Sequence, residues 1–228
     1  MGFVLDVLRK MISHNNINTV CPPGGLPCGR IVPNIIVASV MRSGTHVLID
    51  LILNNFILYK NRPLYIDLDQ YLWAGLDVDA LEGLRGAVIK THYPQVIPPN
   101  FNAAINILRS SSIVVSPQRD DKDVLLSLKK FDSEKMNFLN ENHQEFRDFW
   151  HGFSPTMIPF KDMLNPSKST KILADLSEKT GCFLRKKVVL PPSQKTPLLW
   201  VYFCKFMTRL LGKYSPIINT TISFKVSK

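Results

Sequence analysis

Three short polar clusters in this chain combine residue types able to hold and process a phosphorylated or sulfated group. The first is Arg42-Ser43-Gly44-Thr45-His46. It stands between a β-branched run and a segment of helical apolar spacing, and such a loop aims backbone N–H groups and the positive end of a helix dipole at one point. Gly44 permits close backbone approach, Ser43 and Thr45 add hydroxyl donors, and Arg42 adds a cation that stays protonated at any working pH. An ordinary strand-to-helix turn with a hydroxyl capping the helix fits the same residues. It is not a Walker A loop, because GxxxxGK[ST] is absent. The second cluster is Arg119 with Ser127, eight residues on; a planar guanidinium fork and a hydroxyl about two helical turns away suit a phosphate. The third is Lys90-Thr91-His92, an imidazole beside a cation at a strand exit, placed to take a proton from an acceptor. A histidine in that place also serves purely structural ends in many proteins.

The elements that must carry these clusters are legible as alternating strands and helices. Ile31 to Val40 (IVPNIIVASV) reads as a central strand buried on both faces, and HVLIDLILNNFIL after the loop repeats apolar residues at positions 47, 48, 51, 52 and 56. Leu64 to Leu68 and Ala87 to Ile89 read as further short strands around a weakly helical stretch, WAGLDVDALEGL. Ile113 to Ser116 is another strand, followed by DVLLSLKKF as a helix with Asp120 or Asp121 as N-cap. A polar helix is expected over 133–150, then IPFKDML, then STKILADLSEKTG with Gly181 as C-cap. This alternation predicts βαβ units, an α/β fold with a central, mostly parallel sheet flanked by helices. Ligands on such sheets bind outside the carboxyl ends of the strands, where all three clusters fall.

The clusters together carry a resemblance. ASVMRSGTH resembles the 5′-phosphosulfate loop (PKSGTT or PRSGTT) of sulfotransferases that use 3′-phosphoadenosine 5′-phosphosulfate (PAPS). AVIKTHYP resembles their IKTHLP catalytic segment, and IVVSPQRDDKDVLLSLKKF is similar to their 3′-phosphate motif, RNPKDVxxS, with the same Arg-to-Ser interval. IPFKDML resembles their YEDL segment, so the likeness spans roughly residues 31–181. The resemblance implies a P-loop NTPase-like sulfotransferase architecture and transfer of the sulfuryl group of PAPS to a hydroxyl or amine. It implies that Arg42, Ser43, Gly44, Thr45 and His46 lie against the 5′-phosphosulfate and that Arg119 and Ser127 hold the 3′-phosphate. His92 would be the general base, and Arg42 and Lys90 would stabilise charge developing on the leaving phosphate. PAPS and its product PAP (3′-phosphoadenosine 5′-phosphate) would be the nucleotide partners, with no metal required. Departures are His46 for the second Thr of SGTT, Met41 for Pro, Asp120-Asp121 for Asn-Pro, and the lack of an RKGxxGDW loop, with Arg185-Lys186-Lys187 the nearby basic cluster. They motivate an alternative, a degenerate relative that binds nucleotide or polyanion without turnover.

Composition bounds the rest. A chain of 228 residues accommodates one α/β domain: an N-terminal amphipathic helix and Pro/Gly-rich lead-in over 1–30, the sulfotransferase-like unit over 31–182, and a basic, Pro-interrupted segment over 183–228. The net charge of +10 lies wholly in the last 68 residues, where 13 Lys and Arg face 3 Asp and Glu; residues 1–160 hold 15 of each. Such a block attracts polyanions, although no RNP, helix-turn-helix or zinc-finger signature points to a specific nucleic acid. The four cysteines (Cys21, Cys28, Cys182, Cys204) form no zinc-ligand spacing, while Cys21 and Cys28 bracket PPGGLP and are within reach of a small disulfide. MGFVLDVLRKMIS carries Asp6 and Arg9-Lys10 where a signal peptide needs an unbroken apolar core, and no apolar run nears the roughly 18 to 20 residues of a spanning helix. A cytoplasmic protein is expected. The acceptor is left open, with loops over 59–86 and 132–160 as its expected walls and Tyr65, Tyr71, Trp73, Phe146, Phe149 and Trp150 as rings able to stack on it or to fill the core.

Overall fold

The computed structural model describes residues 18–20, 32–60, 65–73, 75–129, 135–190 and 219–221. The N-terminal amphipathic helix and the pairing of Cys21 with Cys28 lie outside them. The central strand is β2 (Asn34–Ala38), every residue of which is buried. It leads through residues 39–44 into α1 (Thr45–Asn55), then α2 (Ile57–Lys60), β3 (Tyr65–Asp67), α3 (Leu68–Trp73) and β4 (Val88–Thr91). α4 (Phe101–Arg109) connects to β5 (Ser112–Gln118), and α5 (Asp121–Lys129) and α6 (Lys135–His151) connect to β6 (Thr156–Pro159). The short α7 (Phe160–Met163) precedes α8 (Pro166–Thr180), which ends at Gly181 in the left-handed conformation. Two three-residue strands, β1 (Asn18–Val20) and β7 (Asn219–Thr221), pair antiparallel as a separate ribbon.

The main sheet has five strands in the order β3-β4-β2-β5-β6, all parallel, so the expected α/β class is present. Side chains alternate across it, as a pleated strand requires. Ile36 and Ala38 of β2, with Ile89 and Val114, pack against α3, α4, α5 and α6. Ile35 and Val37, with Val88 and Val115, pack against α1, α7 and α8. β2 therefore sends its helix to one face while its neighbours β4 and β5 send theirs to the other. That divergence opens a crevice at the carboxyl ends of these strands.

Two elements go beyond the sequence reading. α4 buries Phe101, Ala104, Ile105 and Leu108 at helical spacing, and β6 forms where only a loop-to-helix segment was expected. Cys182 is buried as a free thiol. Residues 184–189 stay attached to the α/β unit: Leu184 bridges to Phe56, and the Asn55 side chain accepts from the Val189 N–H at 2.7 Å and donates to its carbonyl at 2.8 Å. No helix among the described residues is long and apolar enough to cross a membrane.

Candidate functional site at the carboxyl edge of the sheet

The loop after β2 is shaped by its own backbone. The Val40 carbonyl accepts from both the Ser43 N–H at 3.2 Å and the Ser43 hydroxyl at 2.7 Å. Arg42 takes a left-handed φ of 69° and Gly44 a φ of 112°. A Cβ on Gly44 would lie 2.5 Å from the Phe160 ring, so glycine is required by backbone and packing alike. No side chain caps the start of α1, and its first amides face the crevice with the positive end of the helix dipole.

Two guanidinium groups meet at this loop. Arg119, just past β5, donates to the Arg42 carbonyl at 3.2 Å and lies over the Phe160 ring at 4.7 Å, while Arg42 Nε donates to Ser127 Oγ at 3.2 Å. Burial, and then the Arg119 charge, push the Arg42 pKa below its ordinary value. Two guanidinium groups beside a helix N-terminus make this corner of the sheet electropositive. The acidic pair has partners of its own: Asp120 accepts from the Lys122 N–H at 2.9 Å as a helix cap, and Asp121 lies 3.2 Å from His143.

His92 stands across the same crevice at the end of β4. Its Nδ1 lies 2.7 Å from the Ser39 carbonyl, which can only accept, so Nδ1 carries the proton and Nε2 keeps the lone pair. Burial foremost, then Lys90, hold its pKa well below the usual value, partly offset by the Ser39 bond; the ring is neutral at working pH. The segment is braced by β3 and α3. Lys90 Nζ donates to Asp67 at 2.6 Å, and Asp69 accepts from the Thr91 hydroxyl at 2.7 Å and the His92 N–H at 2.8 Å. Burial and the neighbouring Asp67 push Asp69 up to about 7, opposed by Lys90 and these hydrogen bonds. From α6, Trp150 Nε1 donates to the Tyr93 carbonyl at 2.8 Å.

The sequence-predicted residues thus come to one edge of the sheet in different states. Arg42, Arg119 and Ser127 converge, although they were expected to serve two separate phosphates. Thr45 Oγ1 is 2.6 Å from Ser39 Oγ, and the Ser43 hydroxyl closes its own loop. His46 packs T-shaped against Tyr65, centroids 5.7 Å apart, and burial, Lys90 and Arg42 bring its pKa down to about 3, so its ring is neutral near pH 7. Lys90 is committed to a buried ion pair; truncating it would strand the Asp67 charge at a cost of about 3 to 5 kcal/mol, which makes it a poor mutational probe of catalysis. Of the six rings, Tyr65, Tyr71, Phe146 and Trp150 are core, Phe149 is packed against them, and Trp73 alone is widely exposed.

Asp67, Asp69, Ser39, Gln95 and Phe160 escaped sequence reasoning. A signal existed for the two carboxylates, since YIDLD places them at the end of a strand like the other clusters. Among the described residues no group of three or more His, Cys, Asp or Glu side chains is arranged to hold a metal ion. Compared with known proteins, the chain matches no family model, no curated protein and no solved structure.

Proposed function

We propose that this chain is a PAPS-dependent sulfotransferase. The observation that carries the reading is the convergence, at one edge of one parallel sheet, of the α1 N-terminus, two crowded guanidinium groups with Ser127, and a neutral histidine basic only at Nε2. In this reading Arg119 and Ser127 take a 3′-phosphate and the amides of residues 44–46 a 5′-group, with Arg42, bonded to Ser127, standing between the two. The strand order and the three sequence clusters support a P-loop NTPase-like sulfotransferase architecture.

PAPS supplies the activated sulfuryl group. His92 Nε2 takes the proton of the acceptor hydroxyl or amine, while the Ser39 carbonyl holds the ring in the tautomer that this requires. Arg42 and the α1 dipole stand ready for charge on the leaving phosphate, and such prepared contacts are worth about 3 to 4 kcal/mol each.

The test is a calorimetric titration with PAP against 5′-AMP. PAP should bind at least about tenfold more tightly, since charge-assisted bonds to the extra phosphate are worth about 1.5 to 3 kcal/mol. Arg119→Ala should erase most of that preference and leave 5′-AMP binding nearly intact. Equal affinities in the unmodified protein would remove the 3′-phosphate assignment. A second reading, a binding relative without turnover, draws on the missing RKGxxGDW loop; it predicts the same nucleotide preference with no sulfated product from any acceptor.

A further inference from the structure

Gln95 sits three residues past His92, and its side chain is buried, only 3% of the residue being exposed. Its carboxamide reaches the cradle loop, where the Met41 N–H lies 2.8 Å from Oε1. An N–H must face an acceptor, so this bond fixes the orientation of the amide and leaves Nε2 as the other end. Nε2 is buried without a hydrogen-bond partner. Leaving such a donor unsatisfied is costly, and buried polar groups in native proteins are nearly always paired. The same loop gathers two more such atoms, His46 Nδ1 on the first turn of α1 and Arg119 Nε above the Arg42 carbonyl.

Gln95 Nε2 and Arg119 Nε are donors on residues bonded to the loop that leads into α1, and an oxygen-rich ligand seated there would satisfy them. The turn that holds Gln95 is stitched to residues 39–41 at two points: His92 Nδ1 donates to the Ser39 carbonyl and the Met41 N–H donates to Gln95. Gln95 therefore lies on the His92 side of the cradle and not on the Arg119 side. We infer that Gln95 is a ligand-binding residue, its Nε2 donating to a non-bridging oxygen of the phosphoryl or sulfuryl group seated at the N-terminus of α1. This deepens the sulfotransferase reading and rests on it, by assigning the 5′-group a neutral donor that the three sequence clusters lack.

The experiment compares PAP with 3′-AMP, which lacks the 5′-phosphate, by calorimetry on the full chain, with circular dichroism confirming that each variant folds. The unmodified protein should prefer PAP by at least about tenfold. Gln95→Met should weaken PAP by about ten- to a hundredfold, the worth of a hydrogen bond to a charged group, with 3′-AMP unchanged. Gln95→Glu keeps an acceptor for the Met41 N–H, removes the donors and adds a negative charge, so it should weaken PAP at least as much, and the Gln95→Met result separates the lost donor from the added charge. Gln95→Glu at full PAP affinity, or equal losses for both nucleotides in Gln95→Met, would reduce Gln95 to a brace for the loop and overturn the inference. No preference for PAP in the unmodified protein would instead sink the anion-site reading itself, and the Gln95 assignment with it.

Discussion

A histidine acts as a base only through a nitrogen that keeps its lone pair, and in this chain a backbone carbonyl decides which nitrogen that is. Ser39 fixes Nδ1 of His92 as the donor, so the lone pair stays on Nε2, the end that the proposed reaction uses. His92→Ala should lower turnover in a sulfuryl-transfer assay at least about a hundredfold while PAP affinity stays within about twofold, because a general base acts on the acceptor and not on the nucleotide. His46→Ala should cost turnover far less, since the His46 ring packs edge-to-face on Tyr65 and has, among the described residues, no carbonyl partner of the kind that Ser39 gives His92. The reverse ranking would move the proton chemistry into the cradle. At this scale the sequence shows residue types and their intervals: Arg119 and Ser127 stand eight positions apart whatever the fold. It does not show which β3 side chain lies beside β4, because register is a long-range choice. Asp69 is therefore invisible as a partner of Thr91 and His92 until the strands pair, 22 and 23 residues away.

Elements position these groups by contact, and Phe160 at the start of α7 makes two such contacts, beneath Gly44 and beneath the Arg119 guanidinium. Gly44→Ala should destabilise the protein by about 2 to 4 kcal/mol, from left-handed backbone strain together with overpacking against that ring. Gly75 provides the control: its φ of 68° is also positive, but nothing lies within 4 Å of an added Cβ, so Gly75→Ala should cost only about 1 kcal/mol. Urea unfolding of the two variants separates the contributions, and equal midpoints would show that Phe160 yields freely. Helices with strong caps were readable in advance, as Gly181 closing α8 and Asp120 opening α5 illustrate. β6 was not, because four residues containing a proline give too short a pattern; only pairing with β5 makes them a strand.

At the scale of the whole molecule, the basic excess lies after residue 160, and in the described part Lys161, Lys168, Lys171 and Lys179 stand exposed on α7 and α8. The crevice draws its residues from the ends of β2, β4 and β5, with Phe160 following β6. β2 pairs with β4 and with β5, neither of them the next strand in the chain, so the crevice comes into being only when β2 lies between them. An unfolded or half-assembled chain has nothing for a nucleotide to hold. A ligand therefore acts as a clamp on the sheet, and melting becomes a reporter of binding that needs no acceptor. PAP at a hundredfold excess over its Kd should add about 2.7 kcal/mol to stability, raising Tm by about 5 to 10 °C in a protein of this size. Adenosine should leave the melting curve in place, and a PAP series with no rise in Tm would mean that the five strand ends do not meet around a nucleotide.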